Sequence, residues 1–257
     1  MAVSLLISTL YGCKKVIDVS LKNATIQTVI TGEITDSPGP YKVIISKTAN
    51  FTADNNFSWV SGAFVTITGN GVIDTLSENV PGTYTTHILI GTPGESYALY
   101  VSAEGKEYSA TSVMPQPVSL DSMSFLTGEN KVIYAVANFQ DPPDVTNYYQ
   151  FIEYINGERL SNGRGNSVFD DRLSDGRYIS RLLYDDSTDI KPGITITLQM
   201  NCVDQPVYIY LSELVQISGN AGGFSSPTPD NPTSNITGGA LGYFSAHTVS
   251  SQSVDIP

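Results

Sequence analysis

Short alternating segments, each closed by a turn signal, constrain this chain more than any other feature. In Val60-Ser61-Gly62-Ala63-Phe64-Val65-Thr66-Ile67-Thr68, Ala63, Val65 and Ile67 share one face of a strand, with Phe64, Thr66 and Thr68 on the other. Gly69-Asn70-Gly71 then predicts a hairpin into residues 72–76, because these residue types accept the positive φ of a tight turn. The same pattern runs along the first half. Residues 26–35 alternate and are rich in β-branched side chains, Asp36-Ser37-Pro38-Gly39-Pro40 turns the chain, and residues 41–47 return. Pro81-Gly82-Thr83-Tyr84 opens another short strand. Pro93-Gly94-Glu95-Ser96 leads into residues 97–103, and Glu104-Gly105-Lys106 leads into residues 107–113. About seven strands at intervals of roughly 8–12 residues predict an immunoglobulin-like β-sandwich over 24–115.

Met114-Pro115-Gln116-Pro117 is a stiff extended segment and marks a boundary. Residues 116–257 read as a second β-rich domain, with strands over 118–125, 131–139, 147–154, 178–184 and 194–202. Asp141-Pro142-Pro143-Asp144 breaks the chain between two of them. The polar, Gly-rich stretch 156–176 reads as a loop with little regular structure. One helix is predicted near 205–218, with Asp204 as its cap and Pro206 in its first turn. Val207, Leu211 and Leu214 form its apolar stripe, widened by Tyr208 and Val215, and Gly219 ends it. Residues 219–237 read as an extended loop, and a final strand begins over 241–246. Gly238-Gly239-Ala240-Leu241-Gly242 predicts a close backbone approach or a turn just before it.

The apolar run Val3-Ser4-Leu5-Leu6-Ile7-Ser8-Thr9-Leu10-Tyr11-Gly12 stops at Cys13, and Lys14-Lys15 follows. It is too short to span a bilayer, which takes about 20 apolar residues, and suits a signal segment. The run resembles the lipobox of a bacterial lipoprotein. That resemblance implies that residues 1–12 are a signal peptide, that Cys13 carries the lipid, and that residues 13–23 are a tether. The segment departs from the pattern in two ways: no Lys or Arg precedes the run, and Tyr11 is bulkier than the residue usual there. An ordinary first strand with a plain thiol at Cys13 is the other reading.

Thirteen Lys and Arg stand against 25 Asp and Glu, a net charge of −12. This balance argues against nucleic acid and anionic headgroups as partners, since both need a basic surface. There are two cysteines, Cys13 and Cys202. If Cys13 is lipidated, Cys202 has no partner; the alternative is a Cys13–Cys202 disulfide in an oxidising compartment.

No catalytic constellation emerges. His87 and His247 are the two histidines and lie far apart in sequence, which is a poor basis for zinc. No Gly-x-Ser-x-Gly elbow occurs, and Gly219-Asn220-Ala221-Gly222-Gly223 does not lead from a strand into a helix. Carboxylates gather at Asp170, Asp171 and Asp175 and again at Asp185, Asp186 and Asp189. Calcium is one reading of them, but the EF-hand spacing is missing and Arg172 and Arg177 interleave. Solvated turns are the other. Flat ligands would use exposed aromatic rings; Trp59, Tyr148 and Tyr149 are the candidates, because adjacent tyrosines in a strand face opposite ways. No metal, cofactor or enzymatic activity is expected.

Residues 60–67, Pro81-Gly82-Thr83-Tyr84 and Pro93-Gly94-Glu95-Ser96-Tyr97 together resemble a transthyretin-like or carboxypeptidase-regulatory-like module. Over nearly the whole chain a further set of motifs stands out in order. They are Cys13-Lys14-Lys15-Val16-Ile17-Asp18, Gly32-Glu33-Ile34-Thr35-Asp36, Asp141-Pro142-Pro143-Asp144 with Asn147-Tyr148-Tyr149, and Asn231 to Phe244. The set resembles a family of Bacteroidota outer-membrane lipoproteins described only as a domain of unknown function and often encoded beside TonB-dependent receptors. The resemblance implies a lipid-anchored outer-membrane protein with a binding or accessory role beside such a receptor in nutrient uptake. It does not decide between the periplasmic and cell-surface faces, and it carries no catalytic residues. A stand-alone carbohydrate- or peptide-binding lipoprotein is the alternative. An enzyme would require Asp171, Asp186 and a histidine to converge in one pocket.

Overall fold

A computed structural model describes residues 25–49, 58–128, 133–160, 166–183, 193–217 and 231–256. The chain is mainly β with one short helix. In the first half, β1 (Thr28–Thr35), β2 (Lys42–Lys47), β6 (Thr83–Thr85) and β5 (Ser77–Val80) lie side by side. A second sheet has the order β4 (Val72–Thr75), β3 (Phe64–Gly69), β7 (Ser96–Ala103), β8 (Lys106–Val113). Alternation in each strand sends its apolar set inward, so Ile30, Ile34, Val43 and Ile45 meet Val65, Ile67, Leu99 and Val101 in one core. The predicted hairpin forms between β3 and β4, with φ of 53° at Asn70 and 72° at Gly71.

In the second half, β9 (Ser122–Thr127), β10 (Ile133–Gln140) and β14 (Tyr178–Leu182) make a three-stranded sheet in the order β14-β10-β9. It packs against β11 (Tyr148–Ile155) and β15 (Thr195–Val203) through Ala137, Phe139, Tyr149, Phe151, Leu198 and Met200. The stretch 156–176 is not an irregular loop. It contains β12 (Glu158–Arg159) and β13 (Asn166–Asp170), both paired with β11. A strand of composition Asn-Ser-Val-Phe-Asp carries little hydrophobic signal, and its pairing comes from its partner.

The final strand joins the two halves. β16 (Leu241–Asp255) has 15 residues and is about 50 Å long at the usual rise. Leu241 to His247 run parallel to Val29–Thr35 of β1. Thr248 to Asp255 run antiparallel to β15. Phe244 and Ala246 belong to the first core and Val254 borders the second, so one continuous sheet extends from β5 to β12.

Entry into this strand depends on glycine. Gly238 has φ of 86°, and a Cβ there would run into the carbonyl of Glu107 and the ring of Tyr108. Gly242 has φ of 95°, and a Cβ there would overlap the carbonyl of Ile30 on β1. The part of the 219–237 stretch that is described, from residue 231, is fastened rather than loose. Asn235 brackets Phe244, accepting from its N–H at 3.0 Å and donating to its carbonyl at 2.7 Å. Ile236 is buried in the first core.

The helix, α1 (Gln205–Ile217), starts where predicted. Asp204 accepts from the Val207 N–H through Oδ1, and its Oδ2 accepts from Ser112 Oγ at 2.8 Å and the Val113 N–H at 3.1 Å. The cap therefore also ties the helix to β8. Val207 and Leu211 are buried, but Leu214 is exposed, because the helix packs through Tyr208 and Tyr210 instead.

Candidate functional site

The large sheet carries the second core on one face and α1 on the other, and this decides the fate of the paired tyrosines. Tyr149 points into the core and is fully buried, tilted against Phe139 at 4.9 Å and stacked on Phe169 at 6.1 Å. It cannot present its ring to a ligand. Tyr148 points to the helix side and packs on Tyr208, with ring centroids 4.9 Å apart. Tyr149 is therefore closed to solvent, while Tyr148 is partly covered by the helix. Trp59 is half exposed but sits by Ser46 at the end of β2, several strands away along the order β13-β11-β15-β16-β1-β2. The three aromatic candidates do not form one site.

An open groove of about 540 Å³ lies beside Tyr208, between α1 and the end of β13. Val168, Phe169, Asp170, Arg172, Leu173 and Tyr208 line it. Volumes of roughly 300–1,000 Å³ suit small ligands or single side chains of a partner. Asp170 is its polar anchor. Its carboxylate accepts from Arg172 Nε at 2.8 Å and Nη2 at 2.9 Å and from the Tyr208 hydroxyl at 2.7 Å. The Arg172 guanidinium holds the Asp170 carboxyl below the usual range, against the opposing effect of burial. Burial and the bond to Asp170 push the Tyr208 phenol up to about 12. The groove is thus a neutralised Tyr–Asp–Arg set with apolar walls.

The next residues turn away from the groove. Asp171 is 1% exposed, and with Asp141 and Asp175 it forms a cluster whose carboxylate oxygens lie within 4.8 Å of one another. Each accepts a backbone N–H: Asn147 to Asp171 at 2.8 Å, Gly176 to Asp141 at 2.9 Å, Asp144 to Asp175 at 3.3 Å. The Tyr149 hydroxyl donates to Asp141. Burial raises the Asp171 pKa against the Asn147 bond, and the charges of Asp141 and Asp175 raise it further. Three carboxylates carry at most six of the six to eight oxygens calcium takes, and each already accepts a backbone N–H. Their bonds brace the turn of residues 171–176, on which Leu173 stands 93% exposed at the lip of the groove.

Of the acids singled out in the sequence, Asp171 and Asp175 share this cluster, while Asp170 belongs to the groove. Asp185, Asp186 and Asp189 lie outside the described residues, as does Cys13. Nothing local in Asp141-Pro142-Pro143-Asp144 signals that the Asp141 carboxylate is buried. The histidines are elsewhere. His87 Nε2 is 2.9 Å from Ser77 Oγ on the surface of the first half, and His247 is buried in β16 with Nδ1 3.0 Å from Ser245 Oγ. Cys202 is a free thiol, 2% exposed, and burial pushes its pKa up, which disfavours the reactive thiolate.

The sequence profile of the family described as Domain of unknown function (DUF4249) matches residues 14–253. No curated protein matches the chain. The chain belongs to the DUF4249 family.

Proposed function

We propose, starting from that membership, that the chain is a lipid-anchored outer-membrane protein of a Bacteroidota bacterium whose role is binding, not catalysis. It serves as an accessory to a TonB-dependent receptor in nutrient uptake. The observation that carries this reading is the apolar run ending in Gly12-Cys13, followed at once by Lys14-Lys15. Two or three acyl chains on one cysteine give stable anchoring, whereas a single chain gives marginal binding. The acidic balance, 25 carboxylates against 13 cations, suits a protein held by its lipid rather than by a basic surface. A binding role is supported by the groove beside α1, where Asp170 is paired with Arg172 and Tyr208.

Extraction of native membranes in mild detergent tests the reading. The protein is expected to co-purify with a TonB-dependent receptor in near-stoichiometric amount. Recovery of the protein alone, with the receptor intact in the same extract, would contradict the accessory role.

A further inference from the structure

We propose that β13, the groove beside it and Leu173 together take up an extended polypeptide segment, which adds as a strand to the edge of β13 away from β11 and seats one uncharged apolar side chain in the groove. This deepens the binding role proposed above and rests on it.

The edge is the first observation. Among the described residues, β13 is paired with β11 alone. Among the described residues, no strand pairs with the backbone N–H and C=O groups on its other side. Proteins guard such edges with proline, lysine or a bulge. Asn166-Ser167-Val168-Phe169-Asp170 contains no proline and no lysine, and its register with β11 is unbroken over five residue pairs. A partner that brings its own unpaired backbone satisfies these groups, which is how extended peptides bind to sheet edges.

The groove is the second. Val168, Phe169 and Asp170 line it and also belong to the edge strand, so a segment docked on the strand runs past the groove. Alternate side chains of an added strand point to the same face, and one of them falls where the walls are Val168, Leu173 and Tyr208.

Charge decides what that side chain is. Asp170 has four donors on it, the backbone N–H, Nε and Nη2 of Arg172 and the hydroxyl of Tyr208. Arg172 in turn has its Nε and Nη2 on Asp170. An anion or cation entering the groove meets a charge that is already paired, so it gains little and loses its hydration. The Tyr208 ring lies against Tyr148 on one side, and its hydroxyl is committed to Asp170.

Leu173 supplies the last element. A leucine 93% exposed on a turn held by Asp171, Asp141 and Asp175 is ordered before binding and contributes nothing to folding through packing. Side chains of this kind, rigid and apolar at the mouth of a pocket, are where interfaces concentrate their energy.

The test uses a displayed library of flexible twelve-residue peptides, selected on the full-length chain. Enriched peptides should share one bulky apolar residue in an uncharged stretch. On adding such a peptide, exchange of those amides of residues 166–170 that face away from β11 should slow at least tenfold. Leu173→Asp should weaken binding at least tenfold with an unchanged melting temperature, and Leu173→Met should retain most of it. No enrichment would overturn the proposal. So would equal binding by Leu173→Asp, or protection that maps elsewhere. A chain that is lipidated and co-purifies with a receptor yet binds no peptide contradicts this inference alone; a peptide-binding chain without lipid contradicts the anchor alone.

Discussion

Replacing Gly242 by alanine is expected to cost about 3 kcal/mol or more, from backbone strain and overpacking together. For a chain of this size that is a fall in melting temperature of about 6–12 °C. Two effects act at one atom. The backbone at Gly242 has φ of 95°, which residues with a Cβ rarely adopt. A Cβ there would also overlap the carbonyl of Ile30, its register partner across the parallel β1–β16 ladder. Relief would require β16 to move away from β1, and the same strand pairs with β15 over its second half. The damage should therefore reach both cores. Thermal unfolding followed by circular dichroism checks this, with Gly193→Ala as a comparison, since that glycine has positive φ but open space around it. Equal losses in the two variants would mean that backbone conformation, not the close approach to β1, is the cause.

Asp74→Ala is expected to cost a further class of interaction, about 3 kcal/mol at neutral pH, because a charged acceptor leaves three amides behind. Asp74 is 2% exposed, and its Oδ2 accepts from the N–H groups of His87, Ile88 and Leu89 at 2.8, 2.7 and 2.9 Å. Burial raises the pKa of this carboxyl. The three N–H groups, with the nearby His87, outweigh that and hold it below its ordinary value. The sign of the pH dependence follows. A carboxyl with a depressed folded-state pKa stabilises the fold above its unfolded pKa, about 3.9, and that contribution is lost as pH falls through the folded value. The gap between wild type and Asp74→Ala in urea unfolding should be full at pH 7 and should shrink below about pH 4. A gap that stays constant down to the folded pKa and beyond would show that Asp74 acts by shape and not by charge. The loop this carboxylate holds buries Leu89 and exposes Ile88 and Ile90.

Elements of both halves were legible where their signals are local. The Asn70-Gly71 turn, the Asp204 cap and the glycines before the last strand each act within a few residues, and each appears as the sequence implied. Pairings between distant segments were not legible. Nothing in residues 241–255 announces that one strand changes partner between His247 and Thr248, since both of its neighbours accept the same alternation. The segment 166–170 looked like loop because an edge strand under a helix needs few apolar residues. Tyr148 and Tyr149 lie on opposite faces, as alternation implies, and a helix that no local signal places there partly covers the outward one, Tyr148. The candidate groove was half visible. Asp170, Asp171, Arg172 and Asp175 stood out as a charge cluster, while their division into a neutralised groove set and a buried carboxylate cluster depends on Tyr208 and Asp141, which lie 38 and 30 or more residues away in the chain.

The anchor is the premise on which the location and the partner both rest, and peptide mass spectrometry of the protein taken from its native membrane tests it most directly. The expected N-terminal peptide begins at Cys13 and carries a diacylglycerol thioether on that residue. A peptide that runs from residues upstream through an unmodified Cys13, or one in which Cys13 is disulfide-bonded to Cys202, would contradict the account.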